Sequence, residues 1–335
     1  MSTPYLAGNA PADKTPRSSS LISVVAPVFN EEGNVGLLVE RISEVLKTLG
    51  SNWEIVLVDD GSKDQTWSRI SEVCKQQPNV KALRLSRNFG HQSALLAGLH
   101  HSSGNPIISM DGDLQHPPEV IPELYAAWQA GNRIVNTKRQ DKEVFGPFKR
   151  VSSKLFYQAF SFLTQIHVRE GSSDFRLLDR SALEEVLAFG DIDLFLRGAV
   201  EWIGFSSTTV NYTAAPRTSG ESKYNLRRML KFASGAIISF SDVPLKVGVW
   251  LGLFTALLAC LELLYVIWAT LAGHTVPGWA SAVGLTSLLF AVTFICLGLI
   301  GIYVGRIYRV LQNRPRFIVA ERQQSGTIPP PHSND

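Results

Sequence analysis

Cysteine is scarce in this chain: Cys74, Cys260 and Cys296 are the only three in 335 residues, and two of them sit in apolar runs. Such scattered thiols exclude a disulfide framework or a cysteine metal knuckle and suit a reducing compartment. An excess of one charge is missing too. Lys and Arg number 32 against 29 Asp and Glu, a net +3, so no nucleic-acid footprint is indicated. The chain lacks a P-loop and a Gly-x-Ser-x-Gly elbow. His91, His100, His101, His116 and His167 lack the spacing of metal ligands and read as solvent-facing or packing residues. Residues 1–20 are rich in Pro, Ser and Ala with no apolar core, so they read as a disordered tail, neither signal peptide nor anchor. The stretch from Pro329 onward reads the same way.

From residue 21 to about 210, short β-branched apolar runs alternate with amphipathic helical stretches. The runs are 21–28, 54–58, 80–85, 106–110 and 133–137. Between the first two, residues 35–49 place Leu38, Ile42, Val45 and Leu49 on one helical face. This alternation implies β-α-β units and an α/β, doubly wound, mostly parallel sheet. Ligands of such sheets bind at the carboxyl ends of the strands, at the topological switch point.

Acidic clusters stand at those ends. The first run is followed by Asn30-Glu31-Glu32, the second by Asp59-Asp60-Gly61-Ser62-Lys63-Asp64, the fourth by Asp111-Gly112-Asp113-Leu114-Gln115. Ser62 and Gln65 have the spacing of a helix capping box. Each cluster alone also fits a surface turn. Together they should meet in one cleft, where so much negative charge needs a divalent cation or a hydrogen-bonding ligand. A magnesium-type ion takes one or two carboxylates and completes its shell with phosphate oxygens and water. Asp111 and Asp113 suit that role, and His91, next to Gly90, could approach a diphosphate.

The order Val25-Ala26-Pro27-Val28-Phe29-Asn30-Glu31-Glu32, then Val58-Asp59-Asp60-Gly61-Ser62, Arg87-Asn88-Phe89-Gly90 and Asp111-Gly112-Asp113-Leu114-Gln115 resembles the family-2 inverting glycosyltransferases of the Rossmann-like GT-A fold. It is most similar to the dolichyl- and polyprenyl-phosphate hexosyltransferases, including the bacterial GtrB type. Later landmarks also match: Asp174-Phe175-Arg176-Leu177, Arg197-Gly198, and Arg217 with Gly220-Glu221-Ser222-Lys223-Tyr224. The resemblance implies that Pro27, Phe29, Asn30, Glu32, Asp59 and Asp60 line the nucleotide pocket. It implies that Asp111 and Asp113 face the donor diphosphate and its Mg2+ or Mn2+, and that Gln115 faces the sugar or the acceptor phosphate. Arg139, Lys149 or Arg150, Ser153, Arg217 and Lys223 would receive a lipid phosphate. The family often has Gly-Ser-Arg where this chain has Asn136-Thr137-Lys138-Arg139, which leaves Lys138 and Arg139 both open. The implied reaction moves a hexose, glucose from UDP-glucose, onto a polyprenyl phosphate such as undecaprenyl phosphate.

The second half meets a different solvent. Residues 247–272 form a nearly unbroken apolar run of 26 residues, about 39 Å as a helix, enough to cross a hydrocarbon core of about 30 Å with tilt. Residues 279–305 form a second such run. The 273–278 connection has no Lys or Arg, whereas Lys246 precedes the first run and Arg306, Arg309, Arg314 and Arg316 follow the second. The positive-inside rule then puts the catalytic domain and both termini in the cytoplasm of a multi-pass protein of the bacterial inner membrane. Within 223–242, Leu226, Met229, Leu230, Ala233, Ile237 and Phe240 oppose Arg227, Arg228 and Lys231, the pattern of an interfacial amphipathic helix. The expected organisation is tail 1–20, GT-A domain 21–222, interfacial helix 223–242, two spans within 243–308, and a cytoplasmic segment and tail 309–335. Glu262 inside the first span is either functional or part of an interhelical hydrogen bond. Gly248 with Gly252, and Gly301 with Gly305, permit close helix approach and a homo-oligomer. A processive polysaccharide synthase would need more spans and a Gln-x-x-Arg-Trp motif. A non-catalytic membrane scaffold would not need the acidic clusters.

Overall fold

The computed structural model describes residues 21–140, 172–189, 196–213, 243–273, 278–312 and 314–324. These fall into two compact units, one holding the described residues to 213 together with 315–324, the other holding the described residues from 243 to 314.

The first unit is built on one eight-stranded sheet. In chain order its strands are β1 (Ile22–Val28), β2 (Trp53–Asp59), β3 (Val80–Leu85), β4 (Ile107–Ser109), β5 (Ile134–Arg139), β6 (Ser172–Leu178), β7 (Ser207–Tyr212) and β8 (Val319–Gln324). Their spatial order is β7-β5-β6-β4-β1-β2-β3-β8. Strands β4, β1, β2 and β3 are mutually parallel, and β5 is parallel to β7. β6 runs antiparallel to both its neighbours, and β8 antiparallel to β3. The chain winds outward from β1 through β2 to β3, then returns to lay β4 on the other side of β1. That reversal opens the crevice at the carboxyl ends of β1 and β4.

Helices α1 (Val35–Thr48), α2 (Thr66–Gln76), α3 (His91–His101), α4 (Ile121–Gln129), α5 (Arg180–Leu187) and α6 (Leu196–Trp202) cover both faces. Successive strand residues point to opposite faces, and β1 divides accordingly. Ile22, Val24, Ala26 and Val28 join Leu38, Ile42 and Leu124 in one apolar cluster. Val25 joins Val58, Leu95 and Ala199 in the other. With both faces buried, β1 and β2 are apolar over most of their length, Ser23, Glu54 and Asp59 apart, which is why they read as near-continuous runs. α1 buries Val35, Leu38, Val39, Ile42 and Leu46, the i, i+3, i+4, i+7 stripe of a one-sided helix.

Within residues 309–335, Val319–Gln324 forms the edge strand β8. The capping box at Ser62 and Gln65 does not form. Ser62 Oγ instead accepts from the Asn30 amide at 2.9 Å, and Asp64 Oδ1 accepts from the Thr66 amide at 3.0 Å at the start of α2. The backbone of the loop after β1 competes successfully for the serine hydroxyl.

The second unit contains α7 (Val243–Leu271) and α8 (Trp279–Leu311). Val243–Ala269 and Gly284–Leu311 are long and apolar enough to cross a membrane, with mean hydropathies of 2.1 and 2.4. A core helix of a soluble protein would bury such side chains, but Trp250, Leu264, Phe294 and Leu311 stand exposed, which favours lipid as their solvent. The interfacial stretch 223–242 lies outside the described residues.

Candidate active site

The crevice is assembled from four loops at the carboxyl ends of the strands, and hydrogen bonds between them fix its shape. Beyond β1, Asn30 adopts a left-handed φ of 54°. Its Oδ1 accepts from the Lys63 amide at 3.0 Å. Glu32 Oε2 accepts from the Gln65 amide at 2.9 Å, and the Glu31 amide donates to Thr66 Oγ1 at 2.8 Å. Pro27 is buried within β1 opposite Val58, so it shapes the floor. Phe29 is 41% exposed, a free aromatic surface at the rim.

Beyond β2, Asp59 and Asp60 differ in their partners. Asp59 is fully buried. Its Oδ1 accepts from the Ser62 amide at 2.9 Å, and its Oδ2 lies 3.5 Å from Arg84 Nε. Asp60 accepts from the Phe89 amide at 2.7 Å and the Gly90 amide at 2.9 Å, tying the end of β2 to the loop before α3. Burial, with the neighbouring Asp59 charge, pushes the Asp60 carboxyl upward despite those two donors. Gly61 is required where the two loops touch. Its φ is +68°, and a Cβ there would lie 2.5 Å from the Arg87 carbonyl carbon.

Beyond β4 lie the residues nearest the centre. Gly112 packs on the end of β1, where a Cβ would meet Val28 Cγ1 at 2.5 Å and the Pro27 carbonyl at 2.9 Å. This close approach sets Asp111 and Asp113 beside the β1 loop. Leu114 follows with a φ of 62°, a left-handed value that an apolar residue adopts only when its surroundings impose it. Gln115 engages Asp113 twice, through its amide at 3.1 Å and Nε2 at 2.6 Å. Gln115 Oε1 in turn accepts from Arg139 Nη1 at 3.4 Å. Arg139, rather than Lys138, therefore reaches the Asp113 cluster, because alternate strand residues face opposite sides of the sheet.

Behind this turn sits a charged cluster that sequence reasoning named only as a landmark. Asp174 receives a forked contact from Arg197, Nε at 2.8 Å and Nη2 at 2.9 Å. Arg176 Nη2 lies 3.6 Å away. Burial alone would raise the Asp174 carboxyl, but the nearby His91 ring and the Arg197 fork hold it well below the usual carboxylate range. His91 opens α3 with Nε2 3.4 Å from Asp111 Oδ1 and 3.8 Å from Asp174 Oδ2. Burial would lower the imidazole, yet the two carboxylates outweigh it and raise its pKa. Asp111 is pushed up by burial and by Asp174 and Asp113, against the opposing pull of His116 and His91. His116 is buried and stacked on Phe175 at 5.2 Å, not solvent-facing.

Among the described residues no group of three or more His, Cys, Asp or Glu could enclose a metal ion. One oxygen of Asp111, Oδ1, is buried without a hydrogen-bond partner. An orphan carboxylate oxygen beside a second carboxylate fits an ion that takes two protein ligands and completes its shell with diphosphate oxygens and water. Lys149, Arg150, Ser153, Arg217 and Lys223 lie outside the described residues.

A family model described as glycosyl transferase family 2 matches residues 23–187. The chain is 37% identical over 298 residues to an uncharacterized glycosyltransferase, YkcC, of Bacillus subtilis, covering 89% of this chain and 92% of that protein. It is 39% identical over 301 residues to the SfII prophage-derived bactoprenol glucosyl transferase of Shigella flexneri, covering 89% and 97%. Among solved structures it is similar to glucosyl-3-phosphoglycerate synthase of Mycobacterium tuberculosis in complex with Mn2+ and UDP, at 19% identity and a TM-score of 0.46 over 65% and 78% of the two chains.

Proposed function

The chain belongs to glycosyl transferase family 2 and is a glycosyltransferase, and from that premise we propose that it transfers glucose from UDP-glucose to a polyprenyl phosphate at the cytoplasmic face of a membrane. The bactoprenol glucosyl transferases to which it is similar along almost their full length support the sugar and the lipid class. The two exposed apolar helices support the membrane as the place where the acceptor is met.

The observation that carries the reading is the hydrogen-bond chain Arg139–Gln115–Asp113. It joins a cation suited to a phosphate acceptor to the carboxylate that faces the donor, across one side chain. A phosphate monoester is already anionic near neutral pH, so its oxygen can attack the anomeric carbon without a dedicated strong base. The new bond between the phosphate oxygen and the anomeric carbon forms as the carbon–oxygen bond to the nucleoside diphosphate breaks, UDP leaves with the electron pair, and the anomeric configuration inverts. The physical difficulty is to bring an anionic acceptor beside an anionic donor. Arg139, with Lys149, Arg150, Arg217 and Lys223, would offset charge on the acceptor side, and forked arginine contacts suit phosphate oxygens. Asp111 and Asp113 would hold a divalent cation, Mg2+ or Mn2+, which when bound neutralises the departing diphosphate. Phe29, Asn30 and Glu32 would line the opening on the nucleoside side, with the buried Asp59 bracing the loop behind them.

Purified protein offered a panel of nucleotide sugars with a short-chain polyprenyl phosphate tests this directly. Formation of polyprenyl-phosphoglucose from UDP-glucose is expected. Turnover of a different donor would replace the sugar assignment, and no transfer from any donor would overturn the reading.

A further inference from the structure

We propose that His116 is a positioning residue whose Nδ1, by accepting the Asp111 amide proton, holds the Asp111-Gly112-Asp113 turn in its donor-binding orientation. The proposal rests on the donor-site reading above and adds a residue to it.

The amide nitrogen of Asp111 lies 2.9 Å from His116 Nδ1. An amide can only donate, so Nδ1 is bare and the imidazole proton is assigned to Nε2 from the network. Nε2 lies 2.9 Å from Ser173 Oγ and 3.6 Å from Asp111 Oδ2. The ring is stacked on Phe175 with an interplanar angle of 17° and meets Tyr212 edge-on at 83°. Ring orientation, tautomer and acceptor position are thus all fixed by neighbours.

The turn needs such a brace. Gly112 is pressed on Val28 and Pro27, and Leu114 holds a φ of 62°, a conformation that relaxes unless surrounding contacts over-determine it. His116 closes the turn from within, five residues on, by occupying the one amide donor that precedes the glycine. Gln115 fixes the Asp113 carboxylate on the opposite side. Releasing the Asp111 amide would let the first carboxylate rotate away from the second, and the pair would no longer converge on one ion.

A bracing role and a mere packing role predict opposite orders for two variants. His116→Phe keeps the stacked ring and removes the acceptor. His116→Asn loses the ring but can offer Oδ1 where Nδ1 was. The measurement is Mn2+ binding in the presence of UDP, followed by electron paramagnetic resonance on the full-length protein in detergent, with thermal unfolding alongside. The Phe variant is expected to bind Mn2+ about tenfold or more weaker, the factor for stranding a buried amide, while the Asn variant stays close to the parent. Wild-type binding by the Phe variant, or better binding by Phe than by Asn, would overturn the proposal. A second readout needs neither metal nor donor. Nitrogen-15 spectra of histidine-labelled parent protein should show a histidine bare at Nδ1 and protonated at Nε2 that disappears in the Asn variant. Absence of that signal overturns the brace; failure of the parent protein to bind Mn2+ with UDP, with the signal present, strikes the donor reading instead.

Discussion

Glu321, on the strand that follows the two apolar helices in the chain, accepts a hydrogen bond from Arg84 at 2.8 Å. The same guanidinium stands 3.5 Å from the buried Asp59, whose other oxygen holds the Ser62 amide, and Ser62 Oγ holds the Asn30 amide. A chain of polar contacts thus runs from the last strand to the loop beyond the first.

The members of this chain should differ in cost. Arg84→Met leaves the buried Asp59 carboxylate without its cation, and we expect a loss of about 2–3 kcal/mol. Glu321→Gln weakens an exposed pair, and its amide oxygen can still accept from Arg84 or from Trp67 Nε1, so it should cost about 1 kcal/mol or less. Urea unfolding of both variants checks the order; equal costs would show that Arg84 does not serve Asp59.

Asp113→Asn should lower transfer on the order of a hundredfold or more while the protein stays folded, because the carboxylate faces the crevice rather than the core. Chelation of divalent cations should do the same to the parent protein. Unchanged turnover in the variant removes the metal role assigned to the turn.

The acidic side of the stability profile follows from Asp174. Its folded carboxyl lies below its unfolded value, so its contribution is fully present above the unfolded pKa of about 3.9 and is lost as pH falls toward the folded value. Asp174→Asn removes the carboxylate that faces Arg197 and the buried Arg176, which at pH 7 should cost about 3 kcal/mol. Urea midpoints for parent and variant should differ equally at pH 7 and pH 5, and the gap should narrow as pH falls below the unfolded value. A gap that persists undiminished at pH 3 would assign the loss to packing.

Donor and acceptor chemistry separate at the cationic residues. Neutral replacement of Arg139, Arg217 or Lys223 should leave nucleotide-sugar affinity nearly intact and reduce transfer roughly ten- to hundredfold. If a residue merely attracts an anionic membrane, its effect is about 1 kcal/mol and added salt mimics it. A variant fully active in detergent on a short-chain acceptor, but impaired on anionic vesicles, belongs to the second class.

Topology has its own test. A reporter inserted in the 273–278 connection should report the non-cytoplasmic side, and one fused after Arg316 the cytoplasm. A cytoplasmic connection would sink the hairpin arrangement.

The parallel half of the sheet was legible because β1 and β2 are buried on both faces and are written mostly in apolar residues, and because Val80, Ala82, Leu83 and Leu85 keep an apolar run in β3. β6 was harder to read as a strand because Phe175 and Leu177 on one face alternate with buried Asp174 and Arg176 on the other, so no apolar run survives. β8 is a polar edge strand with little hydrophobic signal at all. The same division runs through the site. Asp111, Asp113 and Gln115 were readable from their place directly after a strand. His116 was not, because what makes it matter is which ring nitrogen meets an amide five residues back. Arg139 was distinguished from Lys138 only once β5 showed which face each occupies.

Because β8 pairs with β3 from the far side of two membrane-length helices, the catalytic sheet cannot be completed while the chain is still short. During synthesis β3 presents an unpaired edge until well over two hundred further residues have left the ribosome, and an open edge invites pairing with other chains. Strand completion therefore falls after both apolar helices have been made. Chains that stall before Val319 should be recovered as aggregates or as chaperone clients, whereas supplying the 315–324 peptide in trans should reduce the aggregation in detergent of a chain cut after residue 314.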